Sequence, residues 1–104
     1  MFQKIKNLLG ISPTTDYKQL VDEGARIIDV RTPTEYSTGH IPNSINIPLS
    51  LLSKKIGRVG KDEQIILCCA SGMRSSSAKG ALLSLGYHNV HDGGSWNSLM
   101  AKIK

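Results

Sequence analysis

The residues best suited to covalent chemistry are two adjacent cysteines, Cys68 and Cys69, which stand between an apolar run and a stretch of small residues. Small residues allow a chain to curl so that successive backbone N–H groups point into one cup, capped by the positive end of the helix that follows. A thiolate at the edge of such a cup gains hydrogen bonds that a neutral thiol does not, and its pKa falls from about 8.5 to ~3.5–7.5. We therefore expect an anion-binding loop made of six residues: Ala70, Ser71, Gly72, Met73, Arg74 and Ser75.

The two cysteines are expected to have different roles. Successive side chains of a strand point to opposite faces, so only one of the pair can face the loop. Cys69 borders the loop and is the predicted nucleophile. Cys68 is predicted to be a core residue, since free cysteine is among the most buried residue types. The alternative for Cys68 is a resolving thiol for Cys69. A structural disulfide between the two is not expected, because it would close a small strained ring.

Neither a metal nor another cofactor is expected. The cysteines do not form a C-x2-C pair, and His40, His88 and His91 lack the H-x3-H spacing of metal ligands. A thiolate that is already formed needs no general base when its leaving group departs without protonation. We therefore assign the chemistry to the cysteine loop alone.

The elements that must position this loop follow from hydrophobic periodicity, which predicts strands alternating with helices. The first predicted helix runs from Asp16 to Glu23, and the second is a two-turn helix opened by the capping box of Thr32 and Glu35. The third has Leu49, Leu52 and Ile56 on one face and is closed by Gly57. The fourth runs from the loop to Gly86, and the last is capped by Ser95. The predicted strands are "ARIIDV", Ser44 to Ile47, "EQIILCC" and "HNVHD". This order predicts an α/β fold, an open parallel β-sheet of about four to five strands flanked by helices on both faces, with the site at the carboxyl ends of the strands.

The composition limits the classes of function. With 104 residues, 39% hydrophobic and 20% charged, the chain is predicted to be a single domain, 1–104, with a short amphipathic lead-in at 1–11. The longest apolar run, 65–70, is too short to span a bilayer, and the amino terminus does not read as a secretory signal, so we expect a cytoplasmic protein with no membrane partner. The net charge of +5 favours anionic partners, but its lysines and arginines are spread without aromatic interleaving, so we expect a small anionic substrate and no nucleic acid.

Three segments form a recognisable set: "IIDVRTPTEYSTGHIPNSINIP" at 27–48, "CASGMRS" at 69–75 and "LGYHNVHDGGSWNSL" at 85–99. In this order and spacing they resemble the amino-terminal signature, the active-site loop and the carboxy-terminal segment of the single-domain rhodaneses, the thiosulfate sulfurtransferase family. The resemblance implies a rhodanese-like fold in which Cys69 takes a sulfane sulfur from a donor such as thiosulfate, becomes a persulfide, and passes the sulfur to cyanide or a thiol. The implied partners are a small anionic sulfur donor and a thiol or cyanide acceptor, which includes a sulfur-accepting protein.

Two other functions share this architecture. A cysteine-based phosphatase also attacks from a thiolate in an anion-binding loop, but such phosphatases place five residues between cysteine and arginine, whereas four separate Cys69 from Arg74. A shorter loop makes a tighter cup, which suits one sulfur atom better than a tetrahedral phosphate. The other alternative is a non-catalytic interaction or sulfur-carrier module of the same fold, against which the presence of the loop cysteine argues.

Four residues outside the loop are candidates for supporting the site: Asp29, Arg31, Glu35 and His40. Asp29 and Arg31 lie at the end of the strand beside the central one, and Arg31 is expected to pair with Glu35 or Asp29 and fix the loop. His40 lies in a Gly-His-Ile-Pro turn that resembles a turn of the family in which the histidine anchors backbone. Arg74, at the loop rim, is expected to bind an anionic donor, the alternative being a solvated residue at a helix start.

Overall fold

The fold is an open parallel sheet of four strands, in a computed structural model that describes residues 15–104. The predicted lead-in at 1–11 lies outside the described residues. The strands are β1 (Arg26–Asp29), β2 (Ile45–Asn46), β3 (Ile65–Cys69) and β4 (Val90–Ser95), in the order β2-β1-β3-β4 across the sheet. All three pairings are parallel, so the carboxyl ends of the strands meet at one edge. The predicted fold class is therefore confirmed.

Helices cover both faces of this sheet. They are α1 (Tyr17–Asp22), α2 (Pro33–Ser37), α3 (Leu52–Lys55), α4 (Met73–Ser84) and α5 (Trp96–Ile103). One face packs against α3 and α4 through a buried cluster that includes Leu67 and Leu82, and the other packs against α1 and α5 through Ile66 and Leu99. Burial on both faces explains why β3 is a continuous apolar run. Among the described helices, none combines the length and the apolar character needed to cross a membrane.

Polar caps determine where three of these helices begin. The side chain of Ser95 caps α5, as the sequence predicts. The side chain of Asp16, predicted as the first residue of α1, is instead its N-cap. Thr32 and Glu35 form both halves of the predicted capping box at α2. Helix α2 has only 5 residues, which is shorter than the two turns predicted.

The segment between β2 and β3 differs from the prediction of one helix closed by Gly57. It consists of α3 flanked by two 3₁₀ turns, Leu49–Leu51 and Ile56–Arg58, so Gly57 lies inside the second turn. Leu52 and Ile56 are nevertheless both buried, as their spacing predicts. Apolar residues three or four apart fit either helix type, so this pattern does not separate a regular α-helix from a succession of tighter turns.

Strand β4 is longer than the predicted "HNVHD" and continues through two glycines to Ser95. A side chain at Gly93 would meet the carbonyl oxygen of Leu67 at 2.8 Å and Cδ2 of Leu99 at 3.0 Å. Glycine thus allows the backbones and α5 to approach closely here, which outweighs its low preference for strands. The register between β3 and β4 shifts after Leu67, so that Cys69 pairs with Ser95. The end of β4 is therefore next to the cysteine loop.

Candidate active site

Cys69 is the last residue of the inner strand β3, and the following loop closes around its sulfur. The Sγ atom accepts hydrogen bonds from the backbone N–H groups of Gly72, at 3.0 Å, and Ser75, at 3.3 Å. Gly72 adopts φ = +101°, a left-handed conformation that glycine reaches without strain. The sequence of small residues thus places two amide donors on one sulfur atom.

These donors favour the thiolate form of Cys69. Burial raises the pKa of the thiol, but the side chain of Ser75 and the backbone N–H groups of Ser75, Gly72 and Ser71 lower it. The hydrogen bonds outweigh burial, so the pKa of Cys69 lies below its ordinary value. The loop therefore prepares a nucleophile without a neighbouring general base.

Access to this sulfur depends on the loop. Cys69 is 0% exposed, so a reactant in solvent does not touch it in the observed conformation. Ala70 and Ser71 are on the surface, and Met73 is 79% exposed. The predicted loop of residues 70–75 is shorter in the structure, because Met73, Arg74 and Ser75 already form the first turn of α4. In this conformation the Cys69 sulfur is therefore enclosed, and the exposed residues that follow it form the adjacent surface.

Cys68 lies on the opposite face of the sheet from Cys69. It packs with Ile27, Ile66 and Leu99, whereas Cys69 belongs to the cluster on the α4 side. Burial, followed by the nearby carboxylate of Asp29, raises the pKa of the Cys68 thiol to about 12. Cys68 is thus a protonated side chain in the core, and both cysteines are free.

Arg74 at the loop rim is bound to Glu35 of α2. Its two terminal nitrogens lie 2.6 and 2.9 Å from the two carboxylate oxygens of Glu35, and both side chains are about one-third exposed. The hydrogen bond from Arg74, followed by that from the backbone of Thr32, lowers the pKa of Glu35 to about 2. The sequence predicted that Arg31 pairs with Glu35 or Asp29; in the structure Arg31 pairs with Asp29, and the Glu35 carboxylate binds Arg74.

Arg31 forms a buried ion pair with Asp29 on the Cys68 side of the sheet. Its Nε and terminal nitrogen lie 2.7 to 3.0 Å from the Asp29 carboxylate, and the two side chains are 3% and 0% exposed. Arg31 also donates to the carbonyls of Glu35 and Gly39. Its guanidinium carbon lies over the ring of Trp96, 4.7 Å from the ring centre. The pair joins the end of β1 to α2 and α5, and it does not face Cys69.

His40 anchors the turn after α2. Its Nδ1 atom lies 2.8 Å from the carbonyl oxygen of Tyr36, and the two rings stack with centres 3.8 Å apart. The imidazole is exposed, and its hydrogen bond and its stacking are both with Tyr36, not with a residue of the cysteine loop.

Asp92 is a residue that the sequence interpretation missed, because "HNVHD" was interpreted only as a strand. The Ser75 hydroxyl lies 2.6 Å from Oδ1 of Asp92, and the same oxygen accepts the N–H of Gly94 at 3.0 Å. Asp92 therefore orients Ser75, whose amide binds the Cys69 sulfur. An acidic residue at the carboxyl end of a strand next to the loop strand was the available signal, but using it required the strand order.

A depression of about 320 Å³ opens beside the loop, at the same edge of the sheet. It is lined by Val30, Thr32, Pro48, Leu49, Ser50 and Arg74. Its volume is that of a small-molecule pocket, and Arg74 belongs both to its wall and to the cysteine loop.

The fold and the site together define a class: an α/β domain with a thiolate held in a loop at the carboxyl end of an inner strand. Residues 13–99 match the sequence model of the rhodanese-like domain, and the chain belongs to this family. Sulfur transfer is the activity that its homologues support at the level of the family.

Individual relatives agree with this assignment. The chain is 34% identical over 68 residues to a sulfurtransferase of Allochromatium vinosum, covering 65% of this chain and 64% of the relative. It is 34% identical over 80 residues to the thiosulfate sulfurtransferase PspE of Escherichia coli, covering 74% and 77%. Across three of the curated relatives that it matches, the aligned part is 41% to 64% of the relative's length.

The three-dimensional comparison gives the same answer. A rhodanese-related protein of Thermoplasma volcanium superposes with a TM-score of 0.70 at 34% identity, covering 86% of this chain and 91% of that protein. The parallel sheet with helices on both faces is therefore the fold of a solved rhodanese-related structure.

Proposed function

We propose that this chain moves a sulfane sulfur from a donor such as thiosulfate to a thiophilic acceptor, cyanide or a thiol, through a persulfide on Cys69. The observation that carries the proposal is the pair of backbone N–H groups, from Gly72 and Ser75, directed at the Cys69 sulfur. They stabilise negative charge on sulfur without donating a proton, as an oxyanion hole does for oxygen. The loop residues Ala70 to Ser75 are the proposed binding site for the transferred sulfur.

The proposed cycle has two displacements. The Cys69 thiolate attacks the outer sulfur of thiosulfate, a bond forms between the two sulfurs, and the sulfur–sulfur bond of thiosulfate breaks with its electron pair leaving on sulfite. Cyanide then attacks the outer sulfur of the persulfide, which releases thiocyanate and restores the thiolate. Both leaving groups depart as anions, so neither step requires a general acid.

The proposed roles of the remaining residues follow from their contacts. Arg74 is the proposed donor-binding group at the rim, and Glu35 binds Arg74. Asp29, Arg31 and His40 are proposed to support the site indirectly, by holding the end of β1, α2 and the turn after α2. No cofactor enters the cycle, and the proposed partners are the sulfur donor and the acceptor, either a small molecule or the thiol of a protein. The cytoplasm stays the predicted location.

The test is mass spectrometry of the intact protein after incubation with thiosulfate, together with an assay for thiocyanate. Wild type is expected to gain one sulfur on Cys69, to release sulfite and to form thiocyanate when cyanide is added. Cys69→Ser is expected to do none of these, whereas Cys68→Ser serves as the matched control and keeps them. Thiocyanate formation by Cys69→Ser, or efficient hydrolysis of phosphate esters by wild type, would contradict the proposal.

A further inference from the structure

Arg74 is the only charged residue of the cysteine loop, and in the structure it is engaged by a carboxylate. The contact with Glu35 is a two-bond pairing of a planar guanidinium with both carboxylate oxygens. This geometry is the strong form of such a pair, because both terminal nitrogens are used at once. With its pKa lowered to about 2, Glu35 is fully ionised at neutral pH.

Glu35 is also held in place from its other side. One of its carboxylate oxygens lies 3.1 Å from both the backbone nitrogen and the hydroxyl of Thr32, as part of the capping box of α2. The carboxylate therefore cannot leave Arg74 without also giving up contacts that stabilise the start of the helix. A donor anion that approaches Arg74 must compete with a fixed, preorganised carboxylate.

Arg74 supplies the positive charge beside the depression, and the other residues that line it supply none. The other residues that line the depression beside the loop are uncharged: Val30, Thr32, Pro48, Leu49 and Ser50. The loop residues between Cys69 and Arg74 are uncharged as well. Arg74 is near enough to the nucleophile for the Cys69 thiolate to contribute to raising the pKa of Arg74. The net charge of the Arg74–Glu35 pair therefore affects which anions can approach Cys69.

We propose that Glu35 is a specificity-determining residue, which neutralises Arg74 and so disfavours the doubly charged thiosulfate relative to a singly charged alkyl persulfide as the sulfur donor. This inference rests on the proposed function. With the alkyl persulfide, the Cys69 thiolate attacks the terminal sulfur, the new sulfur–sulfur bond forms, and the old one breaks with its electron pair leaving on the alkyl thiolate. The alkyl persulfide brings one negative charge to the site, and the alkyl thiolate carries one negative charge away.

The variant that tests the proposal is Glu35→Gln. Glutamine keeps one oxygen acceptor for the capping box, removes the charge, and replaces the oxygen that accepts from the second Arg74 nitrogen with an amide donor. The matched control is Glu63→Gln, since Glu63 also pairs with an arginine, Arg26, and also accepts a backbone N–H, but lies before β3 at the opposite end from Cys69. Both variants change the net charge of the protein equally.

The measurement is the second-order rate constant for sulfur loading of Cys69, followed by intact mass, with thiosulfate and with propyl persulfide at several salt concentrations. Removing one negative charge near the path of a dianion is expected to raise the thiosulfate constant roughly tenfold, and the constant for a monoanion about threefold. The ratio of the two constants should therefore rise about threefold in Glu35→Gln and stay unchanged in Glu63→Gln. The gain should shrink as salt is added.

A second variant separates charge from structure. In an Arg74→Gln background, adding Glu35→Gln is expected to raise the ratio about threefold as well, because the charge of Glu35 repels the dianion more than the monoanion whether or not Arg74 is present. An unchanged ratio in Glu35→Gln, or an equal rise in Glu63→Gln, would overturn the specificity proposal while leaving sulfur transfer intact. Failure of wild type to load sulfur from either donor would overturn both this proposal and the proposed function.

Discussion

Cys68 and Cys69 are neighbours in the chain but have opposite chemical environments. The sulfur of Cys69 receives two backbone N–H groups, while Cys68 is packed among apolar side chains and beside the carboxylate of Asp29. The pKa of Cys69 is lowered and that of Cys68 is raised to about 12. At neutral pH only one of the two is therefore prepared as a nucleophile.

For Cys68→Ser we expect sulfur loading to remain and stability to fall. The hydroxyl replaces a fully buried thiol in an apolar cluster where Asp29 is the nearby acceptor, and burying this more polar group costs about 1 kcal/mol. Thermal or urea unfolding gives the loss, and intact mass after thiosulfate gives the loading. A folded variant that has lost sulfur transfer would show that Cys68 is a resolving thiol.

For Ser75→Ala we expect a higher pKa of Cys69. The Ser75 hydroxyl donates to Asp92, which holds the Ser75 N–H on the Cys69 sulfur, and this N–H helps to lower the pKa of Cys69. The pH dependence of Cys69 alkylation measures the shift, with the profile moving to higher pH. Ser76→Ala is the control, because Ser76 follows on the same helix and is exposed. Identical profiles for both variants would mean that the Ser75 side chain does not influence the thiolate.

Part of this site could be predicted from the sequence and part could not. The position of Cys69 and the small residues after it are local features, so the amide donors around this sulfur could be predicted from the sequence. The partner of Arg74 lies 39 positions away, and the partner of the Ser75 hydroxyl lies 17 positions away. These pairs depend on which strands are neighbours and on side-chain direction, which hydrophobic periodicity does not specify.

At the scale of elements, the loop depends on the backbone conformation at the start of α4. Gly72 precedes this helix with φ = +101°, and its N–H is one of the two donors to Cys69. For Gly72→Ala we expect a large loss of sulfur loading, because a residue with a side chain is strained there and relieving the strain turns the N–H away. The matched control is Gly80→Ala, inside α4 with no atom near the added methyl, which should gain roughly 0.5–1 kcal/mol. Normal loading by Gly72→Ala would contradict this account of the loop.

The ion pair of Arg31 and Asp29 connects elements rather than performing chemistry. For Arg31→Met we expect a loss of about 3–5 kcal/mol in the free energy of unfolding, because Asp29 would remain as a buried charge without its partner. Arg26→Met is the control, since Arg26 forms an exposed pair with Glu63 that is worth about 0–1 kcal/mol. Equal losses measured by urea unfolding would show that burial of the pair does not matter.

The elements themselves were largely accessible from the sequence because their start signals are chemical and local. The capping box of Thr32 and Glu35 and the cap at Ser95 occur where they were expected. The end of β4 was missed because Gly93 is selected by close packing against Leu67 and Leu99, a property of the assembled fold.

At the scale of the whole molecule, the stability of the protein is expected to depend on pH in acid. The folded pKa of Glu35 is about 2, below its ordinary value of 4.5, so its contribution is complete above about pH 4.5 and is lost as the pH falls towards 2. Thermal unfolding at successive pH values in this range should show a decline for wild type. The decline should be shallower for Glu35→Gln, which has no proton to take up at this position. Parallel curves for the two proteins would contradict the assigned pKa.

The opposite directions of the two cysteine side chains have a consequence for damage by peroxide. Oxidation of Cys69 to a sulfenic acid is normally reversed by a second thiol that forms a disulfide with it. The chain has 2 cysteines, and the side chain of Cys68 lies across the sheet. Recovery therefore depends on a thiol from outside the molecule, and without one the oxidation proceeds to the irreversible sulfinic acid.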